Sequence, residues 1–403
     1  MEINDLAYLV GKECLRKKNE IIKSKMKVAI VQNRIVVGGI VHVMMNMIEY
    51  LNQQGIKPDI VTLKSAYDEE GLKKLFNKRV DFRLKKIFYD IKLPYEWNLL
   101  WFNLLLRKYA RKYDLIISHN NVSYLGPNIP TLSYIHFPRK NRVLSKWRSL
   151  HNKSAGKLHP FVIGRDPFYL ARGLYSFDRK FRPNEVVMAN SEYTRNEIER
   201  TYKIKDEEII VAYPPIVDVE KESSSLCGSR KNVMTLGRFV ASKRQIEQIR
   251  IAKSLPQYQF FICGFVDDRS YFEKCRQLVE DEEIENVSLH PDLESAELKR
   301  IFRSSAFFLH SVRNEPFGIT AIQAIQNGCI PIVHDSGGQK ETVTIAALRY
   351  QDKEEAIEKL KTLSEMEDVS LQRFHHELMN NLDKFTEEAF NRQMDKAMKK
   401  LSF

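Results

Sequence analysis

The sequence predicts an α/β protein of two domains, each built on a parallel sheet. Three observations carry that prediction. Short continuous apolar runs, such as MKVAIVQ (26–32) and AFFLHS (306–311), read as strands buried on both faces. Such runs alternate with helical patterns along most of the chain, as in βαβ units. The alternation pauses at YPPIVDVEKESSSLCGSR, near 213–231, where Pro, Ser and charge read as a linker. A chain of 403 residues is also too long for one ordinary core.

In the first half, MKVAIVQ leads through NRIVVGG into a helix. Its apolar positions Ile40, Val43, Met44, Met47, Ile48 and Leu51 recur at helical spacing, and it ends near Gly55. IVTL (60–63), an acidic-basic helix, RLKKIF (83–88), a long helix around 96–112 and the strand DLIISHN (114–120) follow. TLSYIHF (131–137) and EVVMANS (185–191) are the next strands, separated by a basic, aromatic insertion over 137–184. Insertions of that length in an α/β domain are usually lids or binding surfaces. After the linker the strands are NVMTLG (232–237), YQFFICG (258–264), NVSLHP (286–291), AFFLHS and CIPIV (329–333). Helices KRQIEQIRIAKSL (243–255) and SAELKRIF (295–302) lie between them, and roughly 370–403 is helical and amphipathic. Two such halves joined by one linker place a ligand in the cleft between them.

Composition narrows the class. Hydrophobic content of 43% with 29% charged residues is that of a globular protein, and no run approaches a membrane span. Early acids and the lack of a small-residue cleavage site argue against a signal peptide. Five cysteines without a C-x-x-C favour a reducing compartment and give no sign of structural zinc. The net charge of +12 is unevenly placed: residues 1–200 hold 36 Lys/Arg against 19 Asp/Glu, and residues 201–403 hold 28 against 33. Residues 101–182 carry 16 Lys/Arg and three Asp among Trp and Tyr side chains, a surface suited to an anionic membrane or a lipid phosphate. Nothing resembles a recognition helix or a base-stacking platform, so nucleic acid is not the expected partner.

The stretch RNEPFGITAIQAIQNGCIPIVHDSGG (313–338) is the most informative. A tight turn, Glu315-Pro316-Phe317-Gly318, feeds directly into a helix. Free backbone N–H groups and the positive end of the helix dipole there form an anion site, with Glu315 parked beside it. Thr320 and Gln323 share one helix face, and Ile322 and Ile325 lie toward the core. LGRFVASKR (236–244) sits at the carboxyl end of the second domain's first strand and offers Arg238, Lys243 and Arg244, cations able to neutralise a leaving diphosphate. Gly38-Gly39 lets the backbone approach a ligand closely, and His136 ends the strand TLSYIHF. Phosphate and carboxylate together suggest group transfer from a nucleotide. There is no D-x-D pair to hold a metal on a diphosphate, no P-loop and no nucleophile motif, so no metal or cofactor is expected.

Taken together, Gly38-Gly39, His136, ANSEYTRNEI (189–198), VAYPPIVD (211–218), LGRF-x4-KR, ICG (262–264), NEPFGITAIQAIQNGCIPIV (314–333) and SGG (336–338) resemble the retaining glycosyltransferases of the GT-B fold in the large fourth family. Within it, YIHFP, ANSEYTRNEI and AYPP look most like mannosyltransferases and archaeal enzymes that extend lipid-linked, dolichol-type oligosaccharides. The resemblance implies two Rossmann-like domains facing an interdomain cleft. These are 1–215, with an extension 1–25 and the insertion 137–184, and 216–383, followed by a helix over 384–403 crossing back onto the first. It implies that Arg238 and Lys243 bind the donor diphosphate, and that Glu315 with the backbone of Phe317, Gly318, Ile319 and Thr320 holds the donor sugar and distal phosphate. Gly38 and Gly39 belong to the same donor set. His136 contacts the sugar, and with Arg139 and Lys140 it faces the acceptor. The family's second glutamate, eight positions after the first, grips the ribose; here it is Gln323, which weakens or retunes nucleotide binding. The implied activity is metal-independent transfer of a hexose, mannose foremost, from a nucleotide sugar such as GDP-mannose to a lipid-diphosphate-linked glycan, in the cytoplasm at the cytosolic membrane face. The alternative is a weakened GT-B scaffold that binds nucleotide sugar or a partner without transferring sugar.

Overall fold

The computed structural model describes residues 26–87 apart from 37, 77 and 78, then 102, 105–119, 129–138, 181–205, 208–215 and 228–402. The extension 1–25, Arg139, Lys140, most of the insertion, residues 96–101, 103 and 104 of the helix expected at 96–112, and linker residues 216–227 lie outside them. The described chain forms two compact units. The first holds the chain to Asn190, then Thr194–Ala212 and the chain from Phe390; the second holds Ser191–Tyr193 and Tyr213–Ala389.

The first unit carries β1 (Val28–Val31), β2 (Arg34–Ile35), β3 (Asp59–Thr62), β4 (Lys64–Ser65), β5 (Arg83–Lys86), β6 (Leu115–His119), β7 (Thr131–Ile135), β8 (Glu185–Ala189) and β9 (Ile209–Val211). Seven of these form one sheet in the order β5-β3-β1-β6-β7-β8-β9, parallel throughout. Every residue of β1, β3, β6 and β7 is buried. That is why these strands read as unbroken apolar runs rather than alternations. The helix Gly39–Gln53 buries Val43, Met44, Met47, Ile48 and Leu51 against the sheet, and Gly55 at φ 75° turns the chain away from its end.

The last helix, Glu387–Lys400, completes this unit from Phe390 onward. Phe390, Met394, Ala397 and Met398, spaced to share one face, enter the same core as β1, β6 and β7. The Tyr134 and Phe390 rings meet edge-on, 6.2 Å apart, and Tyr50 donates to Asp395 at 2.7 Å. Burial and then the Asp395 carboxylate push the Tyr50 phenol well up.

The second unit is a six-stranded parallel sheet in the order β12-β11-β10-β13-β14-β15. Its strands are β10 (Ser229–Leu236), β11 (Gln259–Gly264), β12 (Val287–Pro291), β13 (Ser305–His310), β14 (Ile330–His334) and β15 (Arg349–Tyr350). Ser229, Arg230 and Lys231, expected in the linker, are the first residues of β10. The helix Arg269–Asp281 was not anticipated, although its apolar positions Tyr271, Phe272, Cys275, Leu278 and Val279 recur at helical spacing and pack against the core of this unit. It is started by Asp268, whose carboxylate accepts from the Tyr271 N–H at 3.1 Å. The segment expected helical over 370–403 is two helices, Asp368–Asn381 and Glu387–Lys400, joined by a 3-10 turn at Leu382–Phe385. Among the described residues no helix is long and apolar enough to cross a membrane.

Candidate functional site

In open parallel sheets ligands gather outside the carboxyl ends of the strands, where the strand order reverses. In the second unit that point lies at β10, flanked by β11 on one side and β13 on the other. Arg238, Gly264 and His310 sit at the ends of those three strands. The strand ends are tightly packed: a Cβ on Gly264 would lie 1.9 Å from the Gly237 carbonyl oxygen. Gln245, buried at the start of the helix Gln245–Lys253, donates its amide N–H to the carbonyls of Gly237 and Arg238, at 3.2 and 2.9 Å. This fixes the loop that carries Arg238. A 3-10 turn, Ala241–Lys243, then places Lys243, and Arg244 in the left-handed region starts the helix.

Lys243 Nζ lies 2.8 Å from Glu315 Oε2, with 23% and 18% of the two side chains exposed. Burial alone would raise the Glu315 pKa. Lys243 foremost, then His310 and Arg238, together outweigh it, and the carboxyl sits below its usual range. Burial pushes His310 down to about 4, so its imidazole is neutral beside the pair. Arg238 reaches Asp267 at 2.6 Å on a more open part of the surface. Both cations expected to meet a diphosphate therefore hold carboxylate partners, and Lys243 holds the one expected to meet the sugar.

The Glu315 loop is held from beneath by Ser336-Gly337-Gly338. Ser336 Oγ accepts from the Asn314 N–H at 2.8 Å, and the Gly338 N–H donates to the Glu315 carbonyl at 2.7 Å. A Cβ on Gly337 would lie 2.5 Å from the Glu315 oxygen. Ser191 of the ANSEYT motif donates to the Pro316 carbonyl at 2.6 Å. Phe317 is buried edge-on against Phe385, ring centres 5.1 Å apart. Gly318, at φ 102°, caps the helix Ile319–Gln326 without any side-chain acceptor, leaving the first-turn N–H groups of Ile319 and Thr320 with no intrahelical partner. Ile322 and Ile325 are buried, as their spacing predicts, and Gln323 is exposed.

In the first unit, Gly38 at φ 155° opens the helix Gly39–Gln53, and a Cβ built on it meets nothing within 4 Å. His136 follows β7 and is half-buried; burial pushes it down to about 3. Its Nε2 lies 3.2 Å from His119 Nε2, at the end of β6, and His119 Nδ1 lies 3.0 Å from Gln32 Oε1, just past β1. β1, β6 and β7 are neighbours at this sheet's own reversal of strand order. Gln32, His119 and His310 were not singled out from the sequence. The rule that selected His136, a polar residue at the carboxyl end of a parallel strand, would have selected all three.

The chain matches the model for glycosyl transferases group 1 over residues 218–384 and that for glycosyltransferase family 4 over residues 37–220. It is 27% identical over 241 residues to the human GDP-Man:Man(3)GlcNAc(2)-PP-Dol alpha-1,2-mannosyltransferase, covering 53% of this chain and 48% of that protein. It is 28% identical over 126 residues to the GDP-mannose:cellobiosyl-diphosphopolyprenol alpha-mannosyltransferase of Xanthomonas campestris, covering 30% and 33%. The chain spans about half the length of the first curated relatives it matches. In fold it is similar to the sucrose-phosphate synthase of Thermosynechococcus elongatus, with TM-score 0.64 at 17% identity over 94% of this chain and 99% of that one.

Proposed function

The chain belongs to the family 4 glycosyltransferases of the GT-B fold, a family of retaining, metal-independent enzymes, and on that premise we propose that it moves a hexose, mannose foremost, from a nucleotide sugar to a glycan carried on a lipid diphosphate. The observation that carries the reading is the Lys243–Glu315 pair, 2.8 Å long, beside Arg238 and the uncapped helix start at Gly318.

Breaking the bond from sugar to diphosphate builds negative charge on the departing phosphate. Arg238, Lys243 and the N–H groups of Gly318, Ile319 and Thr320 stabilise that charge as it develops. Arg238 exchanges Asp267 for the diphosphate, and Glu315, released from part of Lys243, accepts from hydroxyls of the donor sugar. In the same reading His136 contacts the transferred sugar, and Arg139 and Lys140 serve the acceptor. Departing phosphate oxygen takes the proton of the attacking hydroxyl on the same face, so retention needs no protein nucleophile. Mannose and the lipid-linked acceptor are favoured by the two mannosyltransferase relatives, and the basic segment 101–182 suits an anionic membrane surface.

The test is a panel of GDP- and UDP-sugars offered with short glycans on a polyprenyl diphosphate, in excess chelator. Chelator-resistant, α-configured product from GDP-mannose is the expected result. Saturable nucleotide binding with no transfer to any acceptor would replace this reading with that of a binding scaffold, which Gln323 in place of the family glutamate favours.

A further inference from the structure

Gln32, His119 and His136 form a chain of hydrogen bonds whose protons can be assigned. The Gln32 amide is oriented by the Arg34 carbonyl, which accepts from Nε2 at 3.0 Å and so turns Oε1 toward His119. An amide oxygen only accepts, so His119 carries its proton on Nδ1 and its lone pair on Nε2. The partner of that lone pair, 3.2 Å away, is His136 Nε2, which must therefore be the protonated nitrogen of its ring. Two neutral rings satisfy every contact. His119 is fully buried, stacked on Tyr134 at 5.8 Å and edge-on to His136 at 4.7 Å, so ring rotation is blocked. Burial holds both imidazoles well below their ordinary pKa, which keeps the chain neutral at pH 7.

We propose that Gln32 and His119 are positioning residues that fix His136 as its Nε2–H tautomer, so that the bare Nδ1 accepts a hydrogen bond from a hydroxyl of the sugar being transferred. This rests on the reading that His136 meets the donor sugar, and it deepens that reading. The imidazole acts as a neutral acceptor that selects for a hydroxyl, and no cation forms at that position. A single hydrogen-bond chain from β1 through β6 to β7 sets its polarity.

The experiment labels histidine with 15N in the full chain and records long-range 1H–15N spectra at pH 7 without substrate. The expected spectrum shows His136 protonated on Nε2 alone and His119 on Nδ1 alone. His136 protonated on Nδ1, or on both nitrogens, overturns the proposal. Gln32→Met removes the orienting oxygen, and His119→Phe keeps the ring packing while removing the acceptor. Either variant is expected to mix the His136 tautomers and to lower kcat about tenfold, the upper end of what one neutral hydrogen bond contributes, with donor KM changing less. Mixed tautomers with unchanged kcat overturn the role of Nδ1. If either variant fails to fold, the wild-type spectrum decides the tautomer by itself. Sugar transfer alongside the wrong tautomer sinks this proposal and spares the proposed function. The expected tautomers without any transfer sink the proposed function and, with it, the role of Nδ1.

Discussion

A Cβ on Gly338 would lie 2.0 Å from the carbonyl oxygen of Pro316. The backbone of Gly338 is in the ordinary right-handed region, so an alanine there is excluded by space alone. The Pro316 carbonyl already accepts from Ser191, and the neighbouring Glu315 carbonyl accepts from the Gly338 N–H. The loop that presents Glu315 is thus clamped on two sides. Gly338→Ala is expected to cost about 1–3 kcal/mol, as overpacking does. It should also reduce turnover by displacing Glu315. Thermal melts and initial rates check both, and wild-type values would show that the loop is free to move.

The Lys243–Glu315 pair predicts a sign in pH. Because Glu315 is held below its usual range, the folded form binds fewer protons than the unfolded chain in the acid range. Its contribution to stability is complete above the unfolded carboxyl's pKa, near 4.5, and is lost as pH falls through the lower folded value. Glu315→Gln should therefore be less stable than wild type at pH 7, with the gap closing below about pH 4. Lys243→Met leaves a half-buried carboxylate without its cation and should move the acid transition to higher pH. Arg238→Ala and Lys243→Ala are each expected to reduce turnover by roughly 10²–10³, the scale of a lost charge-stabilising group. Near-wild-type rates in either would remove the diphosphate role.

Gln323 is exposed on the helix Ile319–Gln326, so its replacement tests nucleotide binding without disturbing the core. A carboxylate accepts two ribose hydroxyls with charge-assisted bonds about twice as strong as an amide's. Gln323→Glu is expected to tighten GDP or UDP binding roughly three- to tenfold, a gain of about 1 kcal/mol. Calorimetry against both nucleotides measures it, and equal Kd values for the two proteins would place the ribose elsewhere.

The sequence revealed most of the strand framework because parallel strands buried on both faces must be apolar along their length. What it concealed has physical causes. β9 is three residues at a sheet edge, too short to show a pattern. Arg238 and Lys243 were identified because LGRFVASKR follows the carboxyl end of a strand, and Glu315 because it opens a Gly-containing turn that feeds a helix. The partners Lys243 chooses could not be read, since a contact across 72 positions leaves no local trace. Gln32 and His119 do stand at the carboxyl ends of their strands, where the rule that selected His136 applies, but which of their atoms face each other across β1, β6 and β7 leaves no trace in the sequence.

Asp59 provides a test at the opposite end of the first sheet. It begins β3, at the amino end of the strand and away from the carboxyl ends where ligands gather. Its buried carboxylate takes Lys85 at 2.6 Å, Arg83 at 2.7 Å and the Tyr113 hydroxyl at 2.8 Å. Arg83 and Lys85 alternate along β5 so that both reach one face, and Arg83 is in register with Asp59. Burial alone would raise the carboxyl's pKa, but these three partners outweigh it and the value is lowered. Stability from Asp59 is therefore present above its unfolded pKa, near 3.8, and lost as pH falls through the folded value. Asp59→Asn keeps the shape and drops the charge. With both cations half-exposed and screened, the expected loss is about 2 kcal/mol at pH 7, below the cost of breaking a fully buried pair. Urea unfolding at pH 7 and pH 3 should show that loss shrinking in acid, while KM for the donor stays at its wild-type value. A change in KM without a change in stability would contradict the division between a framework end and a ligand end of this sheet.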